Sequence, residues 1–394
     1  MEGLAVFNSL LTKNHVISAL MQDEDRQNEV PLSLTTVLLM AGSPAQLKAV
    51  YEHKVTSLKP WAISPGRITA MEDQQRHLGD PRYQRAYMDY FSMRHGHFKG
   101  NFKALLGTEL TCGPSPLMYG LFGGFGQAMI TLGDSMEARN PILIVQSLVW
   151  ASIDYSNDIY AILSDPRFDQ PHTAPLSPET ILRNIAYDGR FSIKLPGPGF
   201  HHAPAVLSNS PARSAILGYI HQLDMTNVEK LLQQMSQTSV FMLCAAHKMD
   251  LPAFDMYLSR PISLVQGLRV LLRECLNEEL KKTLIRGTWL LIVLVYITQL
   301  RPYLDKSLVF SFPLPEGRPL WDHLFQPFHG QPDGLVGKYL DTHFLRALRS
   351  LHALSLTDEL NGLLYLKAAW KLDSQWSGWA GLGNTKETSL NIRL

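Results

Sequence analysis

Residues Ser239 to Leu272 read SVFMLCAAHKMDLPAFDMYLSRPISLVQGLRVLL. The first part carries apolar side chains at helical spacing and ends in Ala245-Ala246-His247. A short polar break holding Pro252 follows, and a second helical pattern then begins. His247 closes a run of small and apolar residues, which predicts a helix end facing the interior. Two readings are open for a histidine there, a satisfied core residue or a working one.

The same alternation of helix and break extends outward along the chain. Long 3.6-period stretches dominate, and no Asn-Gly turn joins alternating apolar runs, so strand signals are nearly absent. Residues 32 to 40, LSLTTVLLM, predict a buried helix ending at Gly42. The next helix opens with Ser43 as N-cap, Pro44 in the first turn and Gln46 closing a capping box. Ser177-Pro178-Glu179-Thr180 repeats the device, with Glu179 placed favourably for the helix dipole. Asp80-Pro81 opens a helix carrying Tyr83, Tyr87, Tyr90 and Phe91, an aromatic stripe that suits a core. Asn140-Pro141 starts the apolar segment ILIVQSLVWASIDY, a central helix with Asp154 near its end. Residues 192 to 216 and Phe312 to Gly337 are rich in Pro and Gly and are expected to be irregular, the first as a linker or, inside a compact domain, a lid or pocket wall. No repeat of fixed period appears. The expectation is an all-α fold, a single multi-helix domain over 1–380 with a polar tail at 381–394.

Composition narrows the function classes. Hydrophobic residues make up 45% of the 394, charged residues 18%, and the formal charge is +1, an ordinary globular balance. A near-neutral chain without a Lys/Arg cluster argues against a nucleic-acid or membrane-surface partner. Three cysteines, Cys112, Cys244 and Cys275, show no CxxC spacing, which suits a reducing compartment. The N-terminus lacks a basic region, and the most apolar run, Trp289 to Ile297, is too short to span a bilayer. The expected location is cytoplasmic.

No GxSxG, HExxH or GxxxxGK[ST] motif is present. The glycine-rich patch Gly120 to Gly126 follows no strand, so close helix approach explains it better than a dinucleotide site. His95-Gly96-His97 and His201-His202 have the look of metal-ligand pairs, against which stands plain exposure. Cys244 lies one turn before His247, but an apolar helix interior would raise its thiol pKa and make it a core cysteine. Lys367, flanked by Leu366 and Ala368, is either drawn inward or snorkels to solvent.

Several stretches together resemble the questin oxidase-like family, whose members include fungal enzymes that oxidatively open anthraquinone rings. Leu39-Met40-Ala41-Gly42-Ser43-Pro44-Ala45-Gln46 is similar to its "LGASPEQ" helix start. Leu78-Gly79-Asp80 with Tyr83, Tyr87 and Phe91 resembles "LG…Y…Y..FF". Ile181-Leu182-Arg183 with Asp188-Gly189-Arg190-Phe191 resembles "ILR…DxRF". Ala245-Ala246-His247 with Phe254-Asp255-Met256-Tyr257-Leu258 is similar to "AAH…FDFFL". Asp341-x-His343 and Leu366-Lys367 resemble the C-terminal "D-H-x-x-K" and "LK" motifs. The resemblance implies an all-α fold with a deep apolar pocket for a flat aromatic polyketide. It also implies either NADPH-dependent Baeyer–Villiger-type oxygenation or non-haem iron held by histidines and a carboxylated lysine, a role Lys367 would match.

The departures are as informative. Where the family has "NHxxHH" this chain reads Asn28-Glu29-Val30-Pro31-Leu32-Ser33, and where it has "HPLIHLGYG" the chain reads Ser115-Pro116-Leu117-Met118-Tyr119-Gly120. Arg260 stands in place of "FFLMH". The resemblance thus leaves His247 and His343 as metal candidates, with Glu29 as a possible carboxylate partner, and leaves the cofactor open. Two activities follow as expectations. One is an oxidoreductase, a monooxygenase of secondary metabolism acting on an aromatic polyketide or quinone through His247, His343, Glu29 and Lys367. The other is a metal-free cyclase, isomerase or hydrolase, in which Glu29, Tyr119 and Arg260 supply acid/base and oxyanion-binding groups. A non-catalytic binding protein is a third option.

Overall fold

The computed structural model describes residues 2–380 apart from 24–25, 171–173, 248–250, 275–276, 318–319 and 330–334. The polar tail expected at 381–394 and Cys275 lie outside the described residues. The fold is all-α. In chain order the helices are α1 (Glu2–Ile17), α2 (Val30–Leu39), α3 (Pro44–Val55), α4 (Met71–Arg76), α5 (Gln84–His97), α6 (Phe102–Thr111), α7 (Gln127–Ala138), α8 (Pro141–Ile153), α9 (Asn157–Leu163) and α10 (Pro178–Tyr187). They continue with α11 (Ala203–Ser208), α12 (Ser210–His221), α13 (Val228–Cys244), α14 (Met256–Glu274), α15 (Glu278–Thr298), α16 (Ser307–Phe310), α17 (Leu320–His329), α18 (Thr342–Ser355) and α19 (Gly362–Gln375). Two strands of two residues, β1 (Phe254–Asp255) and β2 (Trp379–Ala380), pair in parallel. None of the described helices is long and apolar enough to cross a membrane.

The chain divides into two compact units, each assembled from separate segments. The first comprises Met1–Leu163, Val270–Leu284 and Phe325–Leu345. Its axis is α8, where every residue from Leu143 to Ile153 is buried. Full burial of a large apolar side chain is worth roughly 1.5–3 kcal/mol, so this helix anchors the unit. Its two serines are satisfied by backbone: Ser147 Oγ donates to the Ala128 carbonyl of α7 at 2.8 Å, and Ser152 Oγ to the Leu148 carbonyl one turn back at 2.9 Å. The glycine-rich segment forms a 3₁₀ turn, Leu117–Phe122, laid against the end of α8. A Cβ at Gly120 would overlap the Ala151 carbonyl oxygen, and one at Gly123 that of Asp154. Those glycines permit backbone contact with the end of α8, as expected.

The second unit comprises Ser164–Arg269, Ile285–Leu324 and Arg346–Leu394. Here α15 is buried from Trp289 to Ile297 and α13 from Thr238 to Cys244. Asp358, 1% exposed, accepts from Gln237 Nε2 at 3.1 Å, the Tyr365 hydroxyl at 2.9 Å and Asn361 Nδ2 at 2.9 Å. The Arg301 guanidinium donates to the Ile185, Ala186 and Asp188 carbonyls and so closes the end of α10. Asp188 caps the turn Gly189–Phe191, and Arg190 folds back onto its carboxylate at 2.5 Å. Asp80-Pro81-Arg82 and Asp165-Pro166-Arg167 use the same construction, so the "DxRF" motif is a turn-forming device here.

Two expectations are corrected. Residues 192 to 216 are irregular only up to Gly199, because Pro204 and Pro211 fall in the first turns of α11 and α12, where proline starts a helix. The segment from Phe312 to Gly337 contains α17, with Pro327 inside it. The caps of α3 and α10 match expectation: Ser43 Oγ accepts from Gln46 N, Gln46 returns to Ser43 N, and Ser177 accepts from Thr180 N.

Glycine substitutions separate close approach from simple helix weakness. Gly123→Ala should destabilise the protein by roughly 1–3 kcal/mol or more through overpacking. Gly218→Ala, on the exposed face of α12 with open space around its Cβ, should stabilise it by roughly 0.5–1 kcal/mol. Thermal melts of both variants check the contrast.

Candidate functional site

In the first unit, α2 and α3 are joined by a tight turn at Met40–Ser43, with Ala41 at φ 58°. The turn makes the two helices antiparallel, so the last turn of α3 returns to the start of α2. Lys54, in that last turn, donates from Nζ to Glu29 Oε2 at 2.7 Å. Glu29 immediately precedes α2 and Lys54 closes α3, so each charge sits at the helix end its dipole favours.

The start of α18 completes the cluster. Thr342 Oγ1 donates to Glu29 Oε2 at 2.8 Å, and His343 Nε2 lies 3.3 Å from Glu29 Oε1. A hydroxyl carries one proton, and that of Thr342 goes to Glu29. Ser33 Oγ, 2.7 Å from Thr342 Oγ1, is therefore the donor in that pair. Burial alone would raise the Glu29 pKa. The hydrogen bond and charge of His343, then those of Lys54, outweigh it and hold the carboxyl far below the usual carboxylate range. An ionised Glu29 3.3 Å from His343 Nε2 favours a proton on that nitrogen, so that when the ring is neutral Nδ1 is its proton acceptor. The His343 side chain is 20% exposed, enough for a ligand to reach the ring.

In the second unit, His247 lies three residues past the end of α13, buried, with its ring centroid 5.8 Å from that of Phe254. The neighbouring Asp255 is 6% exposed. Its Oδ1 accepts from Tyr257 N at 2.7 Å and Leu258 N at 3.0 Å, capping α14. Gln299, with its amide oriented by hydrogen bonding, donates to Oδ2 at 2.9 Å and accepts from Gly199 N at 3.1 Å. Burial pushes the Asp255 carboxyl up to about 7, against the two helix amides that favour the charged form. In the sequence Asp255 stands out only as part of a motif, because nothing local distinguishes a buried cap from an exposed one.

The remaining candidates are placed as follows. Tyr119 sits on the 3₁₀ turn of the first unit, partly exposed, its ring 4.9 Å from that of Tyr160. Burial, and then Tyr160, raises its phenol pKa, so it stays a neutral donor. Arg260 is buried at 4% exposure on α14 in the second unit. Lys367 is half-buried on α19 and donates to the Phe310 carbonyl, the snorkelling alternative. The buried lysine is one turn further on: Lys371 is 3% exposed, its Nζ donates to Gln375 Oε1 at 2.8 Å, and burial lowers its pKa. Cys244 is fully buried with its thiol pushed up to about 12, a core cysteine as expected. Of the expected set, Glu29 and His343 are in direct contact; His247, Arg260 and Lys367 belong to the second unit.

Among the described residues, no group of three His, Cys, Asp or Glu side chains is placed to hold a metal ion. At Glu29, the expected carboxylate ligand, Oε2 already accepts from an ammonium and a hydroxyl. An ammonium 2.7 Å away repels a dication, so this donor set does not suit iron.

Asp255 gives a pH test. Its folded pKa lies above the ordinary value near 3.8, so its contribution to stability is full below about pH 3.8 and is lost as pH rises towards about 7. The melting temperature of Asp255→Asn, compared with wild type, should therefore improve steadily between pH 4 and 7. A constant difference across that range contradicts the assignment.

The family model described as Questin oxidase-like matches residues 27–351, and the chain belongs to that family. No curated protein matches it. Glu29, Tyr119, His247, Asp255, Arg260 and His343 fall within the matched residues, and Lys367 and Lys371 fall beyond them.

Proposed function

From membership of the questin oxidase-like family, we propose that this protein is an oxidoreductase that oxygenates an aromatic, quinone-type polyketide of secondary metabolism, with Glu29 and His343 as its proton-handling pair. The observation that supports the reading is the 3.3 Å approach of His343 Nε2 to a carboxylate that also accepts from Lys54 and Thr342.

The chemistry follows from the orientation of the ring. Glu29 holds the Nε2 proton and stabilises the imidazolium that forms when Nδ1 takes a proton from substrate. A phenol or enol of the substrate becomes an electron-rich anion, the form that reacts with an oxidant. Glu29 touches no substrate in this account; it is a positioning residue, and His343 is the base. The deep apolar pocket implied by the family would seat the flat ring system against Nδ1.

The donor set at Glu29 favours one further reading. A carboxylate–histidine pair needs no metal to move protons, so the same pair would serve a cyclase, isomerase or hydrolase acting on a related polyketide. Oxygen and NADPH consumption separate the two. With hydroxyanthraquinones as substrates, the oxygenase consumes oxygen and NADPH in proportion to product. Turnover without either supports the non-redox reading.

His343→Gln should lower kcat about 10²–10⁴-fold with little change in KM, the usual contribution of a general base. Glu29→Gln should lower kcat about 10–100-fold, the loss expected when an orienting partner is removed. Steady-state kinetics with melting curves as a folding control check both. Unchanged kcat in His343→Gln would sink the assignment.

A further inference from the structure

The connection from α3 to α4 builds a second concavity that the proton-handling pair does not use. Residues 57 to 70 have almost no regular structure, yet the segment is fastened along its length. Pro60 bridges Ser18, Trp61 N donates to the Ile17 carbonyl at 3.3 Å, and Trp61 Nε1 to the His15 carbonyl at 3.0 Å. Ser64 Oγ accepts from Ala86 N at 3.0 Å, and Thr69 donates twice to Asp73. A loop held at so many points is preorganised rather than free to collapse.

Between this loop and α5 lies a cleft of about 730 Å³, within the range of small-molecule sites. Arg85, Asp89 and Met93 recur at four-residue spacing, so one face of α5 forms its floor together with the buried Tyr90. Trp61 forms a wall. Ile63, 98% exposed, and Met93, 47% exposed, leave apolar surface uncovered at the cleft. The Arg85 guanidinium lies 5.5 Å from the Trp61 ring centroid and pairs with Asp89 at 2.9 Å. Arg67, also lining the cleft and exposed, has no ion-pair partner among the described residues. Two arginines and one aspartate leave one uncompensated positive charge.

We propose that this cleft is a binding site for a planar aromatic molecule carrying a single negative charge, a carboxylate or an ionised phenol. The ring stacks against Trp61 and covers Ile63 and Met93, and the anion takes the free donors of Arg67 with Arg85 beside it. The site shares no residue with the Glu29–His343 pair, and it stands whether or not that pair is catalytic.

The test uses the full chain and two probes, anthraquinone-2-carboxylate and its uncharged hydroxymethyl counterpart, titrated by calorimetry at low salt. The expected result is preferential binding of the carboxylate. Its affinity should fall about tenfold in Arg67→Gln and in Trp61→Leu, weaken with ionic strength, and persist in His343→Gln. Arg67 is exposed, so Arg67→Gln keeps the wild-type melting temperature and its effect on binding is read directly. Equal affinity for the two probes, or none for either, overturns the proposal. So does carboxylate binding lost in His343→Gln but retained in Arg67→Gln, which would place the probe at the other site.

Discussion

The cluster at the start of α2 is built around one carboxylate, that of Glu29. Partial burial would raise the Glu29 pKa, but an imidazole, an ammonium and a hydroxyl converge on the carboxylate and it is held well below the usual range instead. Those three groups come from the end of α3 and the start of α18, so the ion pair doubles as the joint that sets α2, α3 and the first turn of α18 in register. Removing any one partner leaves the others facing a charge without full compensation, which makes the cluster a single unit rather than a set of additive contacts. That rigidity is what turns His343 from a histidine near a helix start into a ring with one fixed donor and one fixed acceptor.

The carboxylate also bears on the family chemistry. A histidine-rich set suits a metal, whereas Glu29 here is surrounded by donors, including a lysine. The local charge balance then favours proton movement over cation capture. Asp255 in the second unit shows the opposite treatment of a carboxyl group. It is buried with amide donors and, among the described residues, no ion-pair partner, so its pKa rises where that of Glu29 falls. Two acids in one chain are thus separated by their surroundings, not by their residue type.

Much of this fold could be read from sequence because its signals are local. Ser43-Pro44-Ala45-Gln46 specifies a capping box within four residues, and the apolar run from Trp289 to Ile297 specifies a buried helix with no need of its neighbours. Pro204 and Pro211 misled for an equally local reason: proline in a first turn starts a helix, but among glycines and histidines it looks like a break. The site was legible only in part. Glu29 and His343 entered as candidates through the family resemblance, but their contact spans more than three hundred residues, and periodicity carries no information at that range. Lys54 sat unnoticed because a lysine closing a helix has the pattern of an ordinary solvated residue. Lys367 and Lys371 lie one turn apart on α19, and only packing decides which of them is buried.

The most direct measurement of the central claim is the tautomer of His343, read from the ¹⁵N shifts and couplings of its imidazole in labelled protein at neutral pH. The account predicts that, whenever the ring carries a single proton, that proton sits on Nε2, facing Glu29, in preference to Nδ1. Replacing Glu29 with Gln should weaken that preference. A ring with its proton on Nδ1, or one whose tautomer ignores the Glu29 substitution, would contradict the account.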